Sequence, residues 1–363
     1  LVAGLVSCGL KVNNGNSDIT SKTEDKISEL QNLIEKHYMG DVKEKNLEDG
    51  VYKGYINGLN DPYSVYYNKK ETKELYESTG GEYSGIGAVM SQNTETGVIT
   101  LVQIYKDSPA EKAGLKANDI LYKVEGKEVT GKDLSKVVSK VKGEKGTTVE
   151  LTVLRGEDAK EVTVTATRDT VQAQTIEYKM MDDKIGYIRV SEFDTVTYDQ
   201  YKEALDDLEK QGMTGLVVDL RNNPGGSLST VCDMLDLMLP KGLIVYTEDK
   251  NGKKTEMKSD EEHQFTKPLA VLVNGNSASA SEIYSGAIQD YGIGKGVVQQ
   301  IFDLDDGTAV KLTIAEYFTP KGRSINGKGI TPDVKVEYEN NEENPDADNQ
   351  LDKSVEEVKA QMK

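Results

Sequence analysis

From Ile176 onward the chain alternates short apolar, β-branched runs with stretches of helical periodicity, which restricts its carboxyl-terminal half to a sheet with helices on its faces. The runs are Ile185-Gly-Tyr-Ile-Arg-Val190, Leu216-Val-Val-Asp-Leu220 and Leu269-Ala-Val-Leu-Val273. Between them lies an amphipathic stretch, Tyr198 to Gln211, with Gly212 placed to cap it. In a second stretch Leu228, Val231, Cys232, Leu235 and Leu239 fall on one helical face, so Cys232 reads as a buried structural thiol.

The residues before Ile176 have a different character. Residues 24 to 78 look helical, with Ile27, Leu30 and Ile34 at helical spacing and Asn60-Asp61-Pro62 as a stop and turn. Tyr63, Tyr66 and Tyr67 follow and read as packing residues. From Gly81 to about Arg168 short strands take over: Val98–Ile104, Asp119–Val124 and Thr148–Leu154, interrupted by one helical stretch, Asp133 to Val141. At 363 residues the chain exceeds one ordinary core, and two or three domains are expected. No apolar run reaches the length of a membrane span. A net charge of −18 repels phosphate backbones and argues against nucleic acid as a partner. Two cysteines, Cys8 and Cys232, build neither a disulfide framework nor a zinc site, and the pattern calls for no metal and no organic cofactor.

Cys8 lies in Leu1-Val-Ala-Gly-Leu-Val-Ser-Cys-Gly9, which reads as the end of an apolar signal h-region. Leu5-Val6-Ser7-Cys8 resembles the lipobox of bacterial lipoproteins, and the polar stretch Asn13 to Lys26 would suit a tether. An ordinary signal peptide cut nearby is the competing reading. Either way the chain is expected outside the cytoplasm, at the outer face of the bacterial membrane or in the periplasm, with a lipid anchor if Cys8 is modified.

Tyr83-Ser-Gly-Ile-Gly-Ala-Val-Met90, taken with Asp107-Ser-Pro-Ala-Glu-Lys-Ala-Gly-Leu-Lys-Ala-Asn-Asp-Ile-Leu121, resembles a PDZ domain. The resemblance implies that backbone N–H groups of the loop Gly85, Ile86, Gly87 and Ala88 receive the carboxylate of a peptide's C-terminus, while the neighbouring strand edge pairs with the peptide. Taken alone, Gly85 and Gly87 could equally make a tight turn.

Strand Leu269 to Val273 runs into Asn274-Gly-Asn-Ser-Ala-Ser-Ala-Ser-Glu-Ile283 and then a helical stretch to about Tyr291. A serine at a helix N-terminus is well placed as a nucleophile, since the dipole and free N–H groups favour an alkoxide and a developing oxyanion. Spacing alone favours another reading, because Ser279-Ala-Ser-Glu282 fits a capping box.

Four motifs in order change that balance: Val218-Asp-Leu-Arg-Asn-Asn-Pro-Gly-Gly226, Leu272 to Glu282, Gly294-Lys-Gly-Val-Val-Gln299 and Gly327-Lys-Gly-Ile-Thr-Pro-Asp333. Together they resemble the carboxyl-terminal processing (tail-specific) serine peptidases, from about Ile27 to Val336. The resemblance implies Ser279 as nucleophile, Lys295 as general base and Gln299 as the residue orienting it. It implies oxyanion donors at the backbone N–H of Ala280 and of the Gly225-Gly226 turn. A desolvated lysine loses preference for its charged form, so its amine can take a serine proton. A Ser-His-Asp mechanism has only His37 and His263 to draw on, and both sit in charged, surface-like settings.

The expected fold is therefore a multidomain α+β chain: a helical N-terminal segment, a PDZ-type β domain and a Ser/Lys peptidase core, α/β and crotonase-like by family resemblance. The expected divisions are 1–23 (signal remnant and linker), 24–80 (helical), 81–170 (PDZ), 171–337 (peptidase core) and 338–363 (an acidic tail or helix, without functional claim). The implied partners are protein or peptide C-termini as substrates and the membrane through a lipid anchor. In the family the PDZ domain can also gate the site, and hinges near Gly80-Gly81 and Asp169 would be consistent with that. One departure stands out. Only 16 residues separate Ser279 from Lys295, where family members usually carry a further strand's worth, roughly 5–10 residues. Either a strand that positions Lys295 is lacking or a segment is missing from the sequence. Two functions follow: an active endopeptidase that captures and cleaves C-terminal tails, or an impaired pseudo-peptidase acting as a tethered PDZ binding module.

Overall fold

Helical periodicity in the first sixty residues yields α1 (Asp18–His37) and α2 (Glu44–Asn57). The computed structural model describes residues 18–61, 64–260, 262–291, 297–303, 308–323, 331–339, 344 and 347–362, and divides into two units, Leu1–Gly54 and Tyr55–Lys363. Within the second unit the helical N-terminal segment is interrupted by a strand, β1 (Val65–Tyr67), before α3 (Lys69–Gly80). One β-branched and two aromatic residues after a proline turn suit an extended conformation, and Tyr66 is buried, opposite Val310 of a strand far along the chain.

β2 (Glu82–Gly85) pairs antiparallel with β9 (Asp169–Gln172), bringing together the two ends of the module between them. That module contains β3 (Ala88–Gln92), β4 (Ile99–Ile104), α4 (Pro109–Lys112), β5 (Asp119–Val124), β6 (Lys127–Glu128), α5 (Leu134–Val141), β7 (Thr148–Arg155) and β8 (Lys160–Thr167). Its sheet runs β3-β4-β5-β7-β8, with β6 against β5, so β3 is an edge strand, and α5 packs beside it. Alternation along the strands turns Ile99, Leu101, Leu121, Val149, Leu151 and Val153 into one apolar core. Asp133 caps α5 through the Lys136 amide. Arg155 grips the buried carboxylate of Asp119 through Nε at 2.7 Å and Nη2 at 2.6 Å. Removing that arginine would strand a buried charge at a cost of about 3–5 kcal/mol.

The remaining elements are β10 (Ile176–Met180), β11 (Ile185–Val190), α6 (Thr197–Lys210), β12 (Gly215–Asp219), α7 (Leu228–Asp236), β13 (Gly242–Asp249), β14 (Lys254–Ser259), β15 (Leu269–Leu272), α8 (Ala280–Asp290), β16 (Val297–Asp303), β17 (Ala309–Phe318) and α9 (Asn349–Gln361). The central sheet runs β10-β11-β12-β15, with β11, β12 and β15 parallel. On one face Ile188, Val190, Leu216 and Val218 pack against Tyr201, Leu205 and Leu208 of α6, Val231 and Leu235 of α7, and Ile283 and Tyr284 of α8. On the other, Ile185 and Val217 pack against Leu351, Val355 and Val358 of α9. Burying one such aliphatic side chain contributes roughly 1.5–3 kcal/mol, so the terminal helix is an integral layer of this core. A second sheet, β1-β17-β13-β14 with β16 also on β17, joins the first core through Ile244, Val245 and Tyr317. Cys232 lies in that core as a free thiol, and burial together with Asp233 pushes its pKa up to about 12.

Candidate active site

Three parallel strands end at the same edge of the sheet, and the segments leaving two of them meet there. After β12 the chain makes the turn Leu220 to Gly226; after β15 it runs through Asn274 to Ser279 and enters α8. The two are stitched together by hydrogen bonds. Ser277 Oγ donates to the Leu220 carbonyl at 2.8 Å, the Ala278 amide to the Asn223 carbonyl at 3.1 Å, and Ser281 Oγ to that same carbonyl at 2.8 Å. The Asn222 amide donates to Asn274 Oδ1 at 3.0 Å.

Ser279 sits at the start of α8 with φ 53° and ψ −115°. The chain contains its own controls. Ser108 and Ser227 also precede helices, at φ −74° and −69°, and each hydroxyl accepts the amide three residues on, as an ordinary cap does. Ser279 closes the capping box with Glu282 that its spacing suggested, but departs from both in its backbone angle. Its amide donates to the Glu282 carboxylate at 2.7 Å, and the Glu282 amide donates to the Ser279 carbonyl oxygen at 2.9 Å. The third amide of the helix therefore has a main-chain partner whatever the hydroxyl does. Burial raises the Glu282 carboxyl, and the bond from the Ser279 amide works in the other direction. A non-glycine residue in this backbone region costs about 1–3 kcal/mol, and such strain collects at functional sites.

Gly225 lies directly against this serine, and Gly226 against Phe193, three residues beyond the end of β11. A β-carbon on Gly225 would fall 2.7 Å from the Ser279 Cβ and 2.9 Å from the Ala280 nitrogen; one on Gly226 would fall 2.4 Å from the Phe193 carbonyl oxygen. Positive φ values of 107° and 143° add a second requirement for glycine at both positions. The turn is held from below by Asn223, wholly buried, whose Nδ2 donates to the Val190 carbonyl at 2.8 Å. Its Oδ1 accepts the Gly225 amide at 2.8 Å. That bond departs from the sequence expectation for Gly225, whose N–H is already committed to the asparagine.

Three family models match the chain: Peptidase family S41 over residues 184–336, PDZ domain over 100–155, and Activating protease CtpB N-terminal domain over 8–72. The Carboxy-terminal processing protease CtpA of Bacillus subtilis (strain 168) is 38% identical over 323 residues, covering 86% of this chain and 69% of that protein. The chain belongs to peptidase family S41. It is a serine-type peptidase of the carboxy-terminal processing group with an inserted PDZ domain. CtpB of the same organism is 36% identical over 328 residues, 87% of this chain and 68% of its own length. A Bacteroides fragilis NCTC 9343 chain classed with the S41 proteases shares the fold, with a TM-score of 0.51 at 16% identity over 77% of this chain and 81% of that one.

In this S41 peptidase the sequence-derived residues Ser279, Ala280, Gly225 and Gly226 come together. Gln299 lies in β16 opposite Thr313 of β17. Lys295 and Cys8 lie outside the described residues. His37 and His263 are both exposed, His37 on the last turn of α1 and His263 in the segment before β15. In the PDZ domain Gly85 ends β2 and Ala88 opens β3. The Ile86 carbonyl accepts the Ala110 amide at 2.7 Å and the Gly87 carbonyl the Tyr105 amide at 3.0 Å, pinning the loop to α4 and to the residue that follows β4. Ile86 itself is buried. Sequence reasoning overlooked Asn223, Phe193 and Ser277. A buried asparagine between a strand and a Pro-Gly-Gly turn is the signal that would have flagged the first.

A polar cluster flanks the turn on its other side. Arg221 donates to Asp219 and Asp348, and Tyr187 Oη donates to Asp219 at 2.9 Å. A cavity of about 540 Å³ opens there, lined by Tyr187, Arg189, Asp219, Arg221 and Asp348 among others. Ser279 does not line it.

Proposed function

We propose that this peptidase cleaves proteins near their carboxyl termini through an acyl-enzyme formed on Ser279, with Lys295 as general base. The strained backbone of Ser279, pressed against Gly225, is the observation that carries this reading. The uncharged amine of Lys295 takes the Ser279 hydroxyl proton as Oγ bonds to the scissile carbonyl carbon, with Gln299 orienting the amine. The amides of Gly226 and Ala280 receive the oxyanion, the Gly225 amide being occupied. The C–N bond then breaks, the lysine proton passes to the departing amine, and water hydrolyses the ester.

The tail itself is held by the PDZ domain. Its terminal carboxylate meets the loop Gly85, Ile86, Gly87 and Ala88, in which the Ile86 and Gly87 carbonyls are already taken by the Ala110 and Tyr105 amides, and its main chain adds to the edge strand β3. The protein acts outside the cytoplasm, anchored by a lipid on Cys8. Mass spectrometry of the mature N-terminus tests the anchor: a diacylated Cys8 agrees, an unmodified residue downstream of it does not. No helix among the described residues is long and apolar enough to cross a membrane.

Cleavage of a folded protein carrying an unstructured tail of small apolar residues tests the reading as a whole. Ser279→Ala and Lys295→Ala are each expected to lower turnover by at least about 1000-fold. Equal turnover in wild type and Ser279→Ala overturns it, and tail binding without cleavage at any pH would leave a PDZ scaffold.

A further inference from the structure

The turn that brings Gly225 against Ser279, with Gly226 next in the chain, has little apolar side chain with which to hold itself in place; its position is set by polar ties. Three successive residues tie it to three different elements. Asn223 reaches β11 through the Val190 carbonyl. Asn222, at φ 61°, accepts from the side-chain amides of Asn274 and Asn276, both at 2.9 Å. Arg221 reaches across to the terminal helix, where Nη1 donates to Asp348 Oδ1 at 3.0 Å and Nη2 to Asp348 Oδ2 at 2.7 Å. The same guanidinium holds Asp219 through Nε at 3.0 Å and Nη2 at 2.6 Å, and Nη1 also donates to Gln350 Oε1 at 3.1 Å. A planar guanidinium fixed on both edges by carboxylates has no freedom to pivot.

Asp348 is the N-cap of α9, its Oδ1 accepting the Leu351 amide at 3.0 Å. Capping alone would be served as well by asparagine. The second oxygen, turned to Arg221, is what capping leaves unexplained.

We infer that Asp348 is a positioning residue of the active site: by locking Arg221 against Asp219, the first turn of α9 sets the placement of the Gly226 amide relative to Ser279. The inference rests on the proposed roles of Ser279 and Gly226. It gives the carboxyl-terminal helix, read from sequence as a tail or terminal helix with no functional claim, a part in catalysis through Arg221.

Asp348→Asn in the full chain separates this role from a structural one. Asparagine keeps the cap, and Arg221 keeps Asp219 as its counter-charge, so no unpaired charge is left behind. The expected result is a kcat about tenfold lower with KM within about twofold of wild type and a melting temperature within about 3 °C. Asp348→Glu should recover part of the lost kcat. Hydrogen exchange by mass spectrometry should show faster exchange across residues 221–227 and no change across α7. Wild-type kcat together with unchanged exchange in Asp348→Asn overturns the inference, as does a fall in kcat that merely tracks a large loss of melting temperature. If the wild-type protein neither cleaves nor acylates, the functional reading falls by itself. The exchange comparison then decides separately whether Asp348 fixes the turn.

Discussion

Gly225 and Ser279, 54 residues apart in sequence, are packed so closely that a β-carbon on the glycine would lie 2.7 Å from that of the serine. With φ at 107°, the position is closed to any other residue on two independent grounds. Gly225→Ala is expected to cost about 2–4 kcal/mol of stability and to lower kcat/KM at least about 100-fold, because relief of the clash must displace Ser279 or the Ala280 amide. Urea melts and steady-state kinetics check both numbers. Near-native values for the pair would mean that the two segments are not in contact.

Backbone strain at Ser279 makes a prediction of opposite sign from ordinary helix capping. Replacing a true cap by glycine lowers stability by a few tenths of a kcal/mol. Glycine at a strained position of φ 53° relieves the cost instead. Ser279→Gly should therefore be inactive yet about 1 kcal/mol more stable than wild type, and Ser279→Ala inactive without that gain. A destabilised Ser279→Gly protein would mean that the capping box outweighs the backbone strain.

That pair of variants also marks where the sequence stopped being informative. Ser-x-x-Glu spacing gives the capping box it suggested; what it does not encode is the dihedral angle at Ser279, and no residue pattern does. Elements whose own periodicity is strong were legible, as in Ile185–Val190, which forms β11 as read, and in Gly212, which follows α6 at φ 83°. The hairpin β13–β14 was not, because Lys254-Thr-Glu-Met-Lys-Ser259 is a polar edge strand whose register comes from its partner. Nor was β1, whose three residues pair with β17. The Arg221–Asp348 contact spans 127 positions and involves two residues that look like ordinary surface charges. The serine and glycines proposed for catalysis were picked out through their motifs; the ties made by Asn223 and Arg221, residues of the same motif, were not legible there.

Asp194 carries a pH dependence. Burial, then the nearby charge of Glu192, raises its carboxyl from 3.8 to about 6. A carboxyl whose folded pKa lies above its unfolded value favours folding in its protonated form. Its contribution is whole below about pH 4 and is lost as the pH rises through 6. Asp194→Asn should thus be about 1–3 kcal/mol more stable than wild type at pH 8 and indistinguishable from it near pH 4. Denaturant titrations at the two pH values decide, and an equal difference at both would exclude the mechanism.

Recognition of a free tail predicts a sharp chemical preference in the PDZ domain. A peptide ending in a carboxylate should bind at least about tenfold more tightly than its C-terminal amide, since the N–H donors proposed for the loop bond a charged acceptor more strongly. Gly87→Ala should bind neither. Its β-carbon would lie 2.5 Å from that of Ser108, at a backbone φ of 75°, so the loop must move. Fluorescence anisotropy with the two peptides measures this, and equal affinities would show that the terminal charge is not what is read.

The proposed cleavage requires one hydroxyl to become a nucleophile, and covalent capture reports that most directly. Incubation with a β-lactone probe, followed by digestion and mass spectrometry, should place a single acyl adduct on the peptide containing Ser279. The adduct should be absent in Ser279→Ala and formed at least about 100-fold more slowly in Lys295→Ala. An unmodified Ser279 in a preparation that cleaves protein tails, or an adduct formed equally fast without the lysine, would contradict it.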